Sequence, residues 1–419
     1  MKLSSLPLRS INYTLSPRFF SSHIPSQSLK DLDIVIYGAT GFTGRLVSDY
    51  MNTRYGVNKD IKWAMAGRNK MKLQEVRDEL SISPDVPLIV ADASNKASLD
   101  DLVSSTRVVL TTVGPYQLYG NELVAACASA GTDYVDLCGE PAWMHDMINA
   151  HSTSAESSGA RILFSCGFDS IPFDMGVYYL QQVARRRFGR PVSRVRGRVR
   201  GMQGGWSGGT LASFQATMAA AEADKSLLDI LRSPFALTPG FEGPKQPSGG
   251  KPLFDEVSSS WVAPFMMAPI NTKNIHRSNF LLGHEYGENF VYDEMILTGS
   301  GEKGEKRARA IATSTAMQDD KTPPGEGPSK EERDNGFYDV LFVGTSDDDS
   351  NQIVRVSVHG DMDPGYGSTS KMIAETAVCL VKHPGRTLGG IWTCAPALGI
   401  QLIDRLQNNA GISFIDETD

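Results

Sequence analysis

Three glycines, Gly38, Gly41 and Gly44, recur at intervals of three within DIVIYGATGFTG (Asp33 to Gly44). The spacing is GxxGxxG rather than GxGxxG. Gly38 would permit a tight turn, Gly41 would let backbone amides approach a diphosphate, and Gly44 would let a helix lie close to a strand. Ala39, Thr40, Phe42 and Thr43 complete the turn and join the expected cofactor-binding set. A helix starting here adds partial positive charge for phosphates.

The second candidate is Arg68, 24 residues after Gly44 in Ala66-Gly67-Arg68, with no acid beside it. A carboxylate at this place would hold the ribose 2′-OH of NAD, whereas a guanidinium suits the 2′-phosphate of NADP. The alternative is a solvated arginine opening the next helix. The expected cofactor is NADP(H). Asp92 either reaches the adenine or caps the helix after Ser94. Gly114, in Gly114-Pro115-Tyr116, would lie beside the ribose or nicotinamide.

Hydride transfer to a polarised C=C or C=N bond also needs an acid. Tyr116, Tyr119 and Asp169 are the catalytic candidates, although each tyrosine could simply pack. Ser170 and Pro172 read as cap and first turn of a helix, or as substrate or cofactor contacts. A YxxxK pair, Tyr55 to Lys59, falls before the second strand, at the wrong end of the sheet. Gly205-Trp206-Ser207-Gly208-Gly209 matches the nucleophile-elbow pattern GxSxG, and His276, His284, His359 and His383 lie downstream. No HGGG segment accompanies it, and a substrate loop would look the same. Five cysteines without CxxC spacing propose neither a metal site nor a disulfide framework.

These residues need a frame. Ile34 to Tyr37, Ile61 to Ala66, Val86 to Ala91, Arg107 to Val113, Tyr134 to Leu137 and Arg161 to Ser165 read as six strands alternating with helices. The fold class is therefore α/β, with a Rossmann-type doubly wound parallel sheet. From Ser193 the pattern changes. Arg194, Arg196, Arg198 and Arg200 alternate with Val195, Gly197, Val199 and Gly201, a strand with one basic face that either meets an acidic substrate group or is ion-paired. Trp261 to Ile270 reads as a buried loop or pocket wall, and residues 300–335 as a polar, mobile segment. Gly336 to Thr345 and Ser350 to Gly360 read as a hairpin around Asp347-Asp348-Asp349, and Ala397 to Leu406 as a last helix.

Four spans follow: residues 1–30 as a targeting or disordered segment, 31–175 as the NADP-binding domain, 176–390 as a second α/β domain, and 391–419 as a terminal helix packing back on the first. The first thirty residues hold Lys2, Arg9, Arg18 and Lys30, many serines and no acid, the composition of a mitochondrial transit peptide or of an unstructured extension. Losing four bases and no acid would take the net charge from −7 to −11. That acidity argues against nucleic acid as the main partner. No apolar run reaches the length of about 18–20 residues that a membrane-spanning helix needs.

With these segments set out, the chain resembles the saccharopine-dehydrogenase-like oxidoreductases, in particular the trans-acting enoyl reductases and the eukaryotic saccharopine dehydrogenase-like proteins. The resemblance rests on YGATGFTG (Tyr37 to Gly44), AGR (Ala66 to Arg68), TTVGPYQLYG (Thr111 to Gly120), GTDYVDLCGE (Gly131 to Glu140), CGFDSIPFD (Cys166 to Asp174), PGEGPSKEER (Pro324 to Arg333) and GDMDPGYGSTSKM (Gly360 to Met372). It implies a nicotinamide-binding Rossmann domain and a second domain with an antiparallel sheet. It also implies reduction of a small-molecule or carrier-linked lipid substrate, as in glycolipid assembly, and a homodimer is expected. Several relatives carry an apolar stretch where this chain has the charged segment Gly301 to Lys306, which weakens the case for membrane or lipid-droplet association. The competing readings are a non-catalytic NADP(H)-binding scaffold or assembly factor and a lysine-pathway saccharopine dehydrogenase.

Overall fold

The computed structural model describes residues 30–419 apart from 58, 324, 347 and 348. The leader-like segment before Lys30 and most of the acidic turn therefore lie outside the described residues. Six strands form one parallel layer: β1 (Leu32–Tyr37), β2 (Trp63–Gly67), β3 (Leu88–Val90), β4 (Thr106–Thr111), β5 (Asp133–Val135) and β6 (Arg161–Leu163). Ile34 and Ile36 enter one apolar core, Val35 and Tyr37 the other. That is why the strand is apolar at consecutive positions rather than alternating ones. The order is β3-β2-β1-β4-β5-β6, and the chain reverses direction of travel across the sheet between β1 and β4. In such sheets the crevice at the carboxyl ends of those two strands is where ligands sit.

A seventh parallel strand extends this sheet beyond the six expected. It is Gly390–Trp392 (β13 in chain order), paired with β6 through Gly390 to Arg161 and Trp392 to Leu163. Three residues have no readable periodicity, so only the partner strand defines it.

The second sheet holds β7 (Arg194–Gln203), β8 (Leu253–Asp255), β9 (Ser260–Pro264), β10 (Val291–Gly299), β11 (Phe337–Ser346), β12 (Asp349–Gly360) and β14 (Ile412–Asp416), in the order β14-β12-β11-β7-β10-β9-β8. It is mixed rather than antiparallel, because β10 runs parallel to β7. Val199, Val340, Phe342 and Val356 join the core beneath the Ile171–Phe188 helix. The arginines take the other face, where Arg194, Arg198 and Arg200 are ion-paired and Arg196 donates to Thr345 Oγ1 at 3.2 Å. Arg198 meets Asp255 at 2.7 Å and Asp293 at 2.8 Å, and Arg200 meets Asp339 and Glu417 at 2.8 Å each.

Two expectations change. Trp261 to Ile270 is not a loop: it divides into β9 and the start of a helix, Ala268–Leu281. Residues 300–335 hold three helices, Gly301–Ala312, Ala316–Asp319 and Lys330–Asp334. Beyond them, the Thr369–Lys382 helix packs on β4, β5 and the Phe42–Tyr55 helix. Its Glu375, with no exposed surface, accepts from Tyr50 Oη at 2.7 Å, Arg405 at 2.7 Å, Asn409 Nδ2 at 3.0 Å and Tyr55 Oη. The Ile400–Asn409 helix is tied by these bonds to the first domain. Among the described residues, no helix is long and apolar enough to cross a membrane.

Candidate active site

The crevice begins at the turn after β1. Gly38 has φ +93°, and a Cβ there would meet Val113 Cγ2 at 2.7 Å. Gly44 has an ordinary helical backbone, yet a Cβ would fall 2.1 Å from the Gly38 carbonyl oxygen. Gly41 differs from both. Its added Cβ would meet only that same oxygen, at 3.4 Å, so the space above it is open. Gly41 begins the Phe42–Tyr55 helix with no side-chain cap and no acid in the first turn. Arg45 N–H is the first amide bonded back to Gly41, at 2.9 Å, which leaves those of Phe42, Thr43 and Gly44 without intrahelical partners. Bare amides beside an uncrowded glycine make a seat for a diphosphate.

At the next two strand ends, Arg68 is exposed and makes no hydrogen bond to a described residue, while Asp92 lies close enough to interact with it electrostatically. The Asp92 carboxylate accepts from Ser94 N–H at 2.9 Å and Ser94 Oγ at 2.8 Å, and these bonds hold it below the usual carboxylate range. It closes its own turn; the following Lys96–Ser105 helix is capped by Asn95. Gly114 lies past β4, where a Cβ would come 3.6 Å from Ser213 Oγ of the Gly208–Ala223 helix. The second domain thus overhangs the crevice, and Gln117 Nε2 donates to Thr217 Oγ1 at 3.3 Å to hold it there. Phe42, at the helix start, meets Tyr366 edge-on at 5.3 Å, with the Arg333 guanidinium 5.6 Å over its ring.

The three candidate acids have different fates. Tyr116 is buried against Trp143, and its hydroxyl accepts Leu137 N–H at 3.0 Å. Burial pushes its pKa far above the tyrosine range, and its ring and hydroxyl are taken up by packing and hydrogen bonds. Tyr119 is 46% exposed and makes no hydrogen bond to a described residue. Asp169, beyond β6, is half-buried. Its Oδ1 has no exposed surface and no hydrogen-bond partner among the described residues, and burial raises its pKa to about 7. Ser170 occupies the cap position of the Ile171–Phe188 helix without capping it, since its Oγ accepts from Asn274 Nδ2 at 2.8 Å instead. Pro172 does fall in the first turn.

Asn274 belongs to the element that sequence reasoning missed. The Ala268–Leu281 helix buries polar residues: Asn271 reaches Glu294 Oε2 at 2.9 Å, Asn274 reaches Ser170, and Ser278 reaches Asp174. These three recur at helical spacing, but as a polar stripe that a search for apolar periodicity passes over. Lys273 and Arg277 are equally buried and donate to backbone carbonyls of Leu231 and Leu237. Ser207, the serine of the elbow-like motif, caps the Gly208–Ala223 helix by accepting Thr210 N–H at 3.3 Å, and among the described residues no histidine is its partner.

Residues 34–163 match the family model described as the saccharopine dehydrogenase NADP binding domain. A Mycobacterium tuberculosis protein named as a candidate trans-acting enoyl reductase is 37% identical over 413 residues, covering 92% of this chain and 97% of that protein. The trans-acting enoyl reductase of Mycobacterium ulcerans is 33% identical over 410 residues, covering 91% and 97%. Apo saccharopine dehydrogenase (L-Glu forming) of Saccharomyces cerevisiae shares the fold at a TM-score of 0.50 and 11% identity, over 92% of this chain and all of that one. The chain therefore belongs to the saccharopine-dehydrogenase-like oxidoreductases, as an NADP(H)-binding, enoyl-reductase-like member.

Proposed function

We propose that the protein reduces a carbon–carbon double bond conjugated to a thioester, on a lipid-related, carrier-linked substrate. NADPH supplies the hydride when bound. The uncapped amides of Phe42, Thr43 and Gly44 would hold its diphosphate, Arg68 its 2′-phosphate, and the backbone at Gly114 would lie beside its ribose or nicotinamide end. Asp169 delivers a proton to the carbon next to the thioester carbonyl and is left as a carboxylate. The observation that carries the reading is this half-buried, unpartnered carboxyl at the active edge of the sheet, poised near neutrality. The names of the relatives support the type of bond. Leu118, 61% exposed, and Tyr119 support an acyl chain beside the crevice.

The test is NADPH consumption across a series of enoyl thioesters, with Asp169→Asn as the control. At least one thioester should be reduced, and the variant should lose on the order of 10²-fold in kcat. Tight NADPH binding without consumption of any thioester would replace the enzyme with a scaffold, and turnover of saccharopine would replace it with a lysine-pathway enzyme. The basic, serine-rich leader supports a mitochondrial location. A reporter fused after residue 30 that fails to enter mitochondria would remove that part. The same reading includes a homodimer, which sedimentation of the purified chain would check.

A further inference from the structure

Three segments of the second domain converge on one residue of the glycine turn. Phe42, whose amide is one of those left bare, has its ring edge-on to Tyr366 and beneath the Arg333 guanidinium. Gly327 lies so close to this ring that a Cβ would stand 2.5 Å from Phe42 Cε1. The segments also hold one another. Gly208 N–H donates to the Glu326 carbonyl at 3.1 Å, and Tyr366 Oη accepts Ser207 N–H at 2.6 Å. Arg333 is fixed twice over. Its short helix, Lys330–Asp334, starts in a capping box of Ser329 and Glu332, and its own carbonyl accepts Asp363 N–H at 2.9 Å.

We infer that Arg333 is the cation of the diphosphate seat, a cofactor-binding residue supplied by the second domain. The inference rests on the reading of the bare amides at Phe42, Thr43 and Gly44 as that seat. Amides at a helix start offer only partial positive charge to a fully ionised diphosphate. The turn from Gly38 to Gly44 has no basic side chain of its own, and Arg45 beside it is ion-paired to Glu79. Arg68 stands at the end of β2, where it reads the 2′-phosphate. Arg333 is half-buried, and among the described residues its guanidinium makes one hydrogen bond, from Nη1 to the Pro328 carbonyl, and no ion pair. Its other donors are left for a ligand. The acid that feels its charge, Asp363, has no exposed surface and spends its oxygens on Tyr366 N–H at 3.0 Å and Gly367 N–H at 2.7 Å. A planar fork of N–H groups suits phosphate oxygens, and lying over an aromatic ring restrains it beforehand. The cofactor is thus gripped by both domains, through the Phe42 amide from one and the cation above the Phe42 ring from the other.

Calorimetric titration of the full chain with NADPH, NADH and ADP-ribose tests this without turnover, since all three carry the diphosphate. Arg333→Met keeps an unbranched stem over Phe42 and removes the charge. It should bind each nucleotide about tenfold or more weakly than wild type, whereas a residue that reads the 2′-phosphate affects NADPH alone. Arg333→Lys restores a charge without the fork and should recover part of the loss. Raising the salt concentration should weaken NADPH binding more steeply in wild type than in Arg333→Met, because a screened charge is present only in the former. A residue that merely packs on Phe42 would leave these two salt slopes equal. Equal affinities of wild type and Arg333→Met, equal salt slopes, or no recovery in Arg333→Lys would overturn the assignment. Failure of the wild-type chain to bind any of the three would count against the seat itself, whereas wild-type binding matched by Arg333→Met would count against Arg333 alone.

Discussion

Asn274 Nδ2 donates to Ser170 Oγ across 2.8 Å, joining residues 104 positions apart. The bond ties a helix of the second domain to the loop that carries Asp169. Asn274→Ala should therefore loosen the acid as well as the fold. We expect a loss of about 1–3 kcal/mol of stability, as for other buried hydrogen bonds that leave a partner unsatisfied. Turnover should fall while the Michaelis constant changes little, because geometry at the proton donor is what is lost. Denaturant titration and steady-state kinetics on the same preparation would decide; unchanged turnover would detach this bond from the site.

The glycine turn separates fold from binding. Gly44→Ala places a methyl group 2.1 Å from a carbonyl oxygen and should destabilise the first domain by more than about 3 kcal/mol. Gly41→Ala meets nothing nearer than 3.4 Å. Its stability should change by less than about 1 kcal/mol, while NADPH affinity drops. Thermal unfolding and calorimetry would measure the two effects, and equal behaviour of the two variants would remove the assigned roles.

Arg68→Ala should weaken NADPH by about 1–3 kcal/mol, the range for a lost charge-assisted contact, and leave NADH nearly unaltered. Equal losses for the two cofactors would show that the guanidinium does not read the 2′-phosphate.

Stability should fall as pH rises from the mildly acidic range to about 8.5. Burial raises the pKa of Asp174 to about 6, of Asp136 and Asp169 to about 7, and of Glu294 to about 8. Each is protonated in the folded chain over a window where the unfolded chain has already lost the proton. The folded state therefore binds more protons, and its advantage shrinks as pH climbs through 6 to 8. Urea midpoints at about pH 5.5 and about pH 8.5 would check the sign; a higher midpoint at the alkaline end would contradict it.

How much of this was legible beforehand depended on what each residue's role required. The turn from Asp33 to Gly44 could be read because glycine is needed there for reasons of space, and Gly38 and Gly44 are indeed crowded on every side a Cβ would take. Asp169 could be placed at the active edge because it follows a recognisable strand. Tyr116 could not be judged in the same way. It also follows a strand, but a short helix turns its hydroxyl inward to Leu137. The Ala268–Leu281 helix was hidden because its buried face is Asn271, Asn274 and Ser278, and polar burial leaves no apolar rhythm. β13 was hidden because three residues define a strand only through the neighbour they pair with.

The last thirty residues close both layers of the molecule: β13 lies on the outer edge of one sheet and β14 on the outer edge of the other. Each layer therefore takes one of its two outer strands from this late part of the chain. An excised 31–175 fragment would present β6 as an open rim, ready to pair with strangers. Anyone dissecting this enzyme into halves should graft the tail, not merely choose the midpoint.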